Sequence, residues 1–552
     1  MGMSDFHNKT VYQIYPKSFL DTDGDGWGDL RGVLQKLDYL QELGVDYLWL
    51  TPFFVSPQND NGYDVSDYRR IDPRYGTMED FDRLLREAKA RGIELMLDMV
   101  FNHTSTAHPW FQRALEGDPL YQSYYFFRPG KENGAAPTNW ESKFGGSAWE
   151  YVPKLNQYYL HLFDRTQADL NWDNPEVRRE MRDIVRFWME KGVKGFRFDV
   201  VNLISKGAFN DDDQGDGRRF YTDGPRVHNY LQELNRETFG RDADILTVGE
   251  MSSTSMENCF RYAGEDSHEL SMVFSFHHLK VDFMGNEKWV LVPADFGRLK
   301  KLLFSWQEGM AAHRAWNAVF WCNHDQPRVV SRFGSEEEYW KESAKMLASA
   351  IHCLRGTPYI YQGEELGMTN AGFTRLEQYR DVESLNHFQI LRDKGMSEES
   401  AYQILKVHSR DNSRTPMQWE DAPHAGFTSG SPWIGVNPNY RRINAARQTA
   451  EPDSIFRHYQ ALIRLRKQYA VLAEGDFSPL TPQHPSVLAY CRHWKDETLI
   501  CVNNFYRRPC SWTSPVSLEG FEVLLSNYPD IKPQDHLSLR PYESVILLHR
   551  SQ

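Results

Sequence analysis

The sequence predicts an α/β fold: a (β/α)8 TIM barrel with an inserted domain after strand 3 and a C-terminal antiparallel β-sandwich. Three observations predict it. Eight short apolar runs recur at residues 11–15, 47–51, 94–100, 195–199, 245–248, 270–274, 318–322 and 358–361. Amphipathic stretches of helical spacing lie between most of them, as at residues 33–43, 78–91, 177–191 and 342–354. From about residue 474 the pattern changes to runs at 488–494, 499–503 and 544–549 that alternate or stay apolar without helical spacing, as sandwich strands do.

Two gaps break the strand–helix rhythm. The third and fourth strands are separated by roughly ninety residues, too many for one helix and its loops. Most of that stretch, residues 103–172, is rich in Gly, Pro, Trp and Tyr and reads as a small inserted domain. After strand 8, residues 364–440 form a second insertion, dense in Arg and Asp. The expected organisation is barrel (1–102), inserted domain (103–172), barrel again (173–473) and C-terminal β-domain (474–552), with no internal repeat.

Composition limits the function. Of 552 residues, 40% are hydrophobic and 25% charged, as in soluble globular proteins. With 63 basic against 76 acidic residues the net charge is −13, which argues against nonspecific nucleic-acid binding. No apolar run reaches the length of a membrane-spanning helix, and the polar start (residues 1–10) lacks the apolar core of a signal peptide. The six cysteines are irregularly spaced with no Cys-x-x-Cys pair, so free thiols in a reducing cytoplasm are expected. Nothing in the sequence fixes the oligomeric state.

Active groups of such a barrel gather at the C-terminal ends of its strands. Strand 3 ends in Asp98, Asn102 and His103, strand 4 in Arg197 and Asp199, strand 5 in Glu250, and strand 7 in Asn323, His324 and Asp325; Tyr63 and Asp64 follow strand 2. A single acid at a strand end is usually a structural hydrogen-bonding group. Several acids at one mouth would repel one another without a use. Paired carboxylates suit glycoside cleavage, in which one attacks the anomeric carbon and the other protonates the leaving oxygen. Arg197 lies two residues before Asp199, on the same strand face, so the cation should keep Asp199 ionised and nucleophilic. Glu250 has no basic neighbour in sequence and suits the acid/base. Asp325, His103 and His324 would grip sugar hydroxyls. Competing motifs are absent: there is no G-x-S-x-G elbow, no H-E-x-x-H, no phosphate-binding loop and no dinucleotide fingerprint.

The stretch DTDGDGWGD (residues 21–29) places Asp21, Asp23, Asp25 and Asp29 around a glycine turn, with the Trp27 carbonyl available between them. Alternate carboxylates on a tight turn are calcium chemistry, since Ca²⁺ takes six to eight oxygens. The twelfth position is Gly32 rather than Glu, so this is no EF-hand. A structural Ca²⁺ is expected here, and no organic cofactor.

The motifs DMVFNH (98–103), GFRFD (195–199), VGE (248–250) and NHD (323–325), in this order and spacing, resemble the four signature regions of the α-amylase family, glycoside hydrolase family 13. The likeness covers nearly the whole chain. It implies a barrel with an inserted domain after strand 3 and a C-terminal β-domain. It also implies that Asp199, Glu250 and Asp325 are the catalytic triad, and that Tyr63, Asp64, His103, Arg197 and His324 line the subsite for the non-reducing glucose. The acidic loop at 21–29 is likewise a feature of bacterial exo-glucosidases of this family. QADLNW (167–172), beginning at Gln167 and with Ala168 where Pro is more usual, and Val200 after the nucleophile resemble the oligo-1,6-glucosidase group. Within that group SKFGGSAW (142–149), GEMSSTS (249–255), FHHLKVDF (276–283), EKW (287–289) and FTRLEQYRDVESLN (373–386) look closest to members acting on trehalose 6-phosphate.

A phosphorylated disaccharide carries close to two negative charges, which an acidic chain must meet with local cations. Lys280 and Lys288 after strand 6, and Lys143 in the inserted domain, are candidates. Arg410 and Arg414 in SRDNSRTPMQW are candidates for the first glucose and Arg380 for the second; Phe144, Phe163 and Tyr63 offer ring faces for sugar stacking. The reading is a retaining, exo-acting α-glucosidase that splits trehalose 6-phosphate into glucose and glucose 6-phosphate. The alternatives are an oligo-1,6-glucosidase acting on isomaltose-like ends and, more remotely, a sucrose isomerase. A noncatalytic relative would be expected to have lost one of the three acids, and all are present.

Overall fold

The structure, a computed structural model, describes residues 5–551; the first four residues of the polar start lie outside it. The eight apolar runs become eight parallel strands: β1 (Val11–Ile14), β2 (Tyr47–Leu50), β3 (Glu94–Met99), β4 (Gly195–Phe198), β5 (Leu246–Glu250), β6 (Met272–Phe274), β7 (Asn317–Val319) and β8 (Thr357–Tyr361). They pair in sequence order, and β8 returns to β1, so the barrel is closed. Strands flanked by helices on the outside and side chains within are buried on both faces, which explains runs such as YLWL and GFRF. Gly195 opens β4 because a Cβ there would lie 2.6 Å from Met96 Cβ.

Register decides which polar groups meet. Arg197 pairs with Asp98 across β3–β4 and with Val248 across β4–β5. Phe198 pairs with Gly249, so the next step sets Asp199 beside Glu250 at the C-terminal mouth.

Local chemistry fixes the surrounding helices. Met78–Ala90 starts with a Thr77/Asp80 capping box, Pro175–Glu190 with an Asn174 cap and a proline in the first turn, Phe296–Ala312 with Asp295, and Ile455–Gln468 with Ser454. The stretch expected as one helix at 33–43 is two, Leu30–Gln35 and Leu37–Leu43. Lys36 leaves helical angles between them and lays its ammonium 4.2 Å over the Trp419 ring. The seventh strand is shorter than expected, and Asn323–His324–Asp325 stand on the loop beyond it.

The inserted stretch folds as its own small unit. Its entry strand His103–Ser105 pairs antiparallel with its exit strand Gln167–Asp169, and a three-stranded sheet (Phe127–Arg128, Gln157–Leu160, Trp149–Val152) lies between them in the chain. Its aromatic core, including Trp140 and Trp149, is completed by Val200, Leu203 and Tyr221 from the long loop after β4, an excursion not anticipated from the sequence. The insertion after β8 carries the helices Val382–Asp393, Glu398–His408 and Asp411–Arg414.

The C-terminal domain has a five-stranded antiparallel sheet and a two-stranded one. One face of the larger sheet joins the barrel core through Leu488, Tyr490 and Leu499. The other face packs on Trp512, Leu537 and Leu539 of the smaller sheet, giving the expected sandwich. Among the described residues no helix is long and apolar enough to cross a membrane, and all six cysteines are free thiols.

Candidate active site

A cavity of about 270 Å³ opens at the C-terminal end of the barrel. Asp199, Glu250 and Asp325 line it together, with Tyr63, His103, Phe144, Phe163, Arg410, Lys280 and Lys288. A larger void of about 560 Å³ shares Phe144 and Phe163 as walls but holds none of the three acids.

Beneath the cavity Arg197 is buried at 1% exposure. It is not reserved for Asp199. It donates to Asp98 at 2.7 Å, to Asp199 at 2.6 Å and to Glu250. Burial raises the Asp199 carboxyl to about 6, with Arg197 opposing the rise and a hydrogen bond from Glu250 helping to oppose it. Burial raises Glu250 further, to about 8; Arg197 opposes this, while Asp199 and Asp325 add to it. At neutral pH Asp199 is therefore ionised and Glu250 holds a proton, the order that nucleophile and acid require. Asp199 and Glu250 sit side by side on one guanidinium, a close placement that suits retention rather than inversion. Val200, just past Asp199, has φ 35° and ψ 40°, a left-handed conformation that costs a β-branched residue about 1–3 kcal/mol. It turns the Val200 N–H toward Glu250 at 3.3 Å.

Asp325 is held by Arg414 at 2.6 Å and Arg410 at 3.4 Å. Burial would raise its carboxyl, but the surrounding His324, Arg410 and Arg414 hold it well below the usual range. Burial lowers His324 to about 3, so its ring is neutral at pH 7 and the arginines carry the attraction. His324 Nδ1 meets Gln13 at 2.8 Å, and its ring stacks on Tyr63 with centroids 5.1 Å apart. Tyr63 in turn donates its hydroxyl to Asp98 at 2.9 Å. Burial also lowers His103, to about 4, and its Nε2 lies 3.1 Å from the Tyr63 carbonyl. The Phe144 and Phe163 rings meet edge to face, centroids 5.6 Å apart, as a wall for the apolar side of a sugar.

Several expected roles change. Asp64 does not line the cavity: its carboxylate accepts from the Ser56 hydroxyl and from the backbone N–H groups of Asn59 and Asp60, so it shapes the turn. The acid of that turn facing the cavity is Asp60, which pairs with Arg410 at 3.1 Å and accepts from Gln167 at 3.1 Å. Burial raises Asp60 to about 7 against the pull of Arg410 and Arg414. Gln167 is fully buried and braces Asp60 and His103 from behind rather than lining the cavity. Arg197 and His324 likewise act from beneath, and Arg380 is turned to the carbonyls of Glu377 and Tyr379. Lys288 is tied to Glu383 at 3.0 Å. Lys280 and Lys143 line the cavity and make no ion pair among the described residues.

Lys206 was not foreseen. Its buried ammonium is caged by Asn102 Oδ1 at 2.8 Å, Asp169 Oδ2 at 2.7 Å and the Leu203 carbonyl at 2.6 Å. One lysine thus ties the end of β3, the exit of the inserted domain and the loop after β4. Asn102 Nδ2 also meets His103 Nδ1 at 3.2 Å. No local signal marks Lys206, because its two side-chain partners, Asn102 and Asp169, are distant in sequence.

In the acidic loop Asp21, Asp23 and Asp29 each bring a carboxylate oxygen within 4.8 Å of the others, and Asp25 does not join them. Asp25 instead accepts the Trp27 N–H at 2.7 Å. Burial, with repulsion from neighbouring acids, raises the Asp25 and Asp29 carboxyls.

Comparison with known proteins agrees with this geometry. Residues 13–475 match the α-amylase catalytic domain, and residues 477–546 the C-terminal domain of maltogenic amylase. The chain is 55% identical over 542 residues to trehalose-6-phosphate hydrolase of Bacillus subtilis (strain 168), covering 97% of this chain and 96% of that protein. It is 46% identical over 548 residues to an oligo-1,6-glucosidase of Bacillus cereus, covering 97% and 98%. The crystal structure of Bacillus licheniformis trehalose-6-phosphate hydrolase superposes with a TM-score of 0.95 at 53% identity, covering 100% of both chains. With its closed barrel, its three acids at one mouth and this match along almost its full length, the chain belongs to the α-amylase family, glycoside hydrolase family 13.

Proposed function

We propose that the chain is a retaining α-glucosidase that hydrolyses trehalose 6-phosphate to glucose and glucose 6-phosphate. The observation that carries the substrate is the pair Lys143 and Lys280 on the cavity wall. Each is half-buried and without an ion-pair partner among the described residues. Burial pushes Lys143 down to about 8, with Arg218 and Lys280 adding repulsion and Asp216 and Asp169 opposing it. Burial lowers Lys280 as well. A neutral disaccharide gives such a cluster no counterion, whereas a phosphate dianion supplies one. Lys288, neutralised by Glu383, is a weaker candidate for that contact.

In the first step an Asp199 oxygen attacks the anomeric carbon of the inner glucose. The glycosidic bond breaks, and Glu250 gives its proton to the departing oxygen of glucose 6-phosphate. In the second step Glu250, now a carboxylate, takes a proton from water as that water attacks the same carbon and releases Asp199. Asp325, Asp60 and His103 are placed to grip the hydroxyls of the glucose.

The test is glucose release from trehalose 6-phosphate, trehalose, isomaltose and sucrose at equal concentration, repeated with Lys143→Ala and Lys280→Ala. The expected result is preference for the phosphorylated sugar and a Michaelis constant raised about 10–100-fold by either substitution, with neutral α-glucoside turnover kept. Above pH 8 Lys143 loses its proton, so affinity for the phosphorylated sugar should fall there too. Preference for isomaltose, untouched by the lysine variants, would favour an oligo-1,6-glucosidase.

We also propose that the acidic loop holds a structural Ca²⁺ on Asp21, Asp23 and Asp29, because oxygens about 2.3–2.6 Å from one ion lie within such spacing of each other. Chelator should then lower the melting temperature and added Ca²⁺ restore it; an unchanged melt would remove the ion. Six unpaired cysteines support a reducing compartment, the cytoplasm.

A further inference from the structure

The turn that carries Asp60 and Tyr63 rests on a buried ammonium outside the cavity. Lys17 stands just after β1 at 4% exposure. Its Nζ lies 3.8 Å from the centre of the Trp27 ring and 4.1 Å from that of Trp433. Its hydrogen bond goes to Asn61 Oδ1 at 2.8 Å, and it makes no ion pair among the described residues. Burial pushes it down to about 7; Arg414 and Arg74 add to that, while Asp411 and Asp64 oppose it. The burial of its charge is offset by two ring faces and one amide oxygen rather than by a carboxylate. The placement of Lys17 asks for a further use.

Asn61 supplies one. It has φ 49°, between Gln58 at 69° and Gly62 at 103°, so the turn contains several left-handed residues. Such backbone persists where its surroundings hold it. On either side of Asn61, Asp60 meets Arg410 and Gln167, and the Tyr63 carbonyl meets His103.

We propose that Lys17 is a positioning residue for the glucose pocket: clasped between two indole faces, it pins Asn61 and so fixes Asp60 and Tyr63 against the sugar. The assignment rests on the glucosidase reading but not on the phosphate. The test therefore uses glucose as competitive inhibitor and p-nitrophenyl α-glucoside as substrate, neither phosphorylated. Lys17→Met keeps an unbranched side chain, one atom shorter, and removes the ammonium. Asn61→Gly removes the acceptor while tolerating the positive φ. In the full chain, each single variant and the double variant should raise the glucose inhibition constant by the same factor, about tenfold. The Michaelis constant should rise with it and the turnover number fall less, while the melting temperature of Lys17→Met stays level or rises. An unchanged inhibition constant in folded Lys17→Met would overturn the proposal, as would effects that multiply in the double variant. Should Lys17→Met fail to fold, Asn61→Gly decides alone: an unchanged inhibition constant overturns the proposal, and a tenfold rise supports it. Wild-type protein that neither binds glucose nor cleaves the glucoside would remove the glucosidase reading and this one together.

Discussion

Arg197 faces three carboxylates with one charge, so the group around it retains a proton at neutral pH. Glu250 holds that proton and Asp199 goes without, which matches the acid and nucleophile roles proposed for them. In the proposed mechanism, Asp199 becomes protonated below about pH 6 and can no longer attack, and above about pH 8 Glu250 lacks the proton to deliver. With p-nitrophenyl α-glucoside, kcat/KM should trace a bell between those limits, its limbs belonging to the coupled group rather than to either residue. A flat profile from pH 5 to 9 would contradict the assignment. Asp199→Asn should cost on the order of 10⁴-fold in turnover while the protein still binds glucose. At this scale the sequence was informative where strand spacing decides the matter: Arg197 and Asp199 share a face because they are two apart. It misled at Asp64, because nothing in NDNGYDV says which carboxylate turns back to cap the turn and which faces the sugar. It also hid the sharing of Arg197, which depends on register across three strands.

The elements beyond the barrel act as spacers whose docking decides the pocket. Lys206 joins the end of β3, the inserted domain and the loop after β4 through three buried oxygen contacts. Lys206→Met would leave Asp169 buried without its cation, and urea titration should show a loss of about 3–5 kcal/mol. Because Asn102 also meets His103, glucose affinity should weaken with it; unchanged stability would mean that the cage is redundant. The eight strands were legible because each is a short run buried on both faces, and the inserted domain because no single crossover needs so many residues. The long loop after β4 was not, since its apolar residues (Val200, Leu203 and Tyr221) are spaced for a core that belongs to another segment. The break at Lys36 was equally hidden, as the apolar spacing runs straight through it.

Across the whole molecule, barrel and C-terminal domain share one core. Arg492 is fully buried and donates to the carbonyls of Cys353 at 2.8 Å and Gly475 at 2.7 Å, and Tyr490 donates to Ala350 at 2.8 Å. Calorimetry should therefore show a single unfolding transition for barrel and sandwich. Two well-separated transitions would mean that this interface contributes little. The pattern changes near residue 474 and the sheet's first strand is Asp476–Leu480, but the interlocking with the barrel was not legible, since buried arginines read as surface charges in a sequence. The closed floor has a kinetic consequence. Asp98, Arg197 and His324 seal the bottom of the cavity at 1%, 1% and 0% exposure, so the inner sugar has no rear exit. The outer product must depart before the hydrolytic water arrives, and free glucose is then the last to leave. Glucose should accordingly compete with substrate for the empty enzyme. At high sugar concentration another hydroxyl entering by the same doorway should intercept the glucosyl-enzyme and lengthen the sugar instead of releasing it.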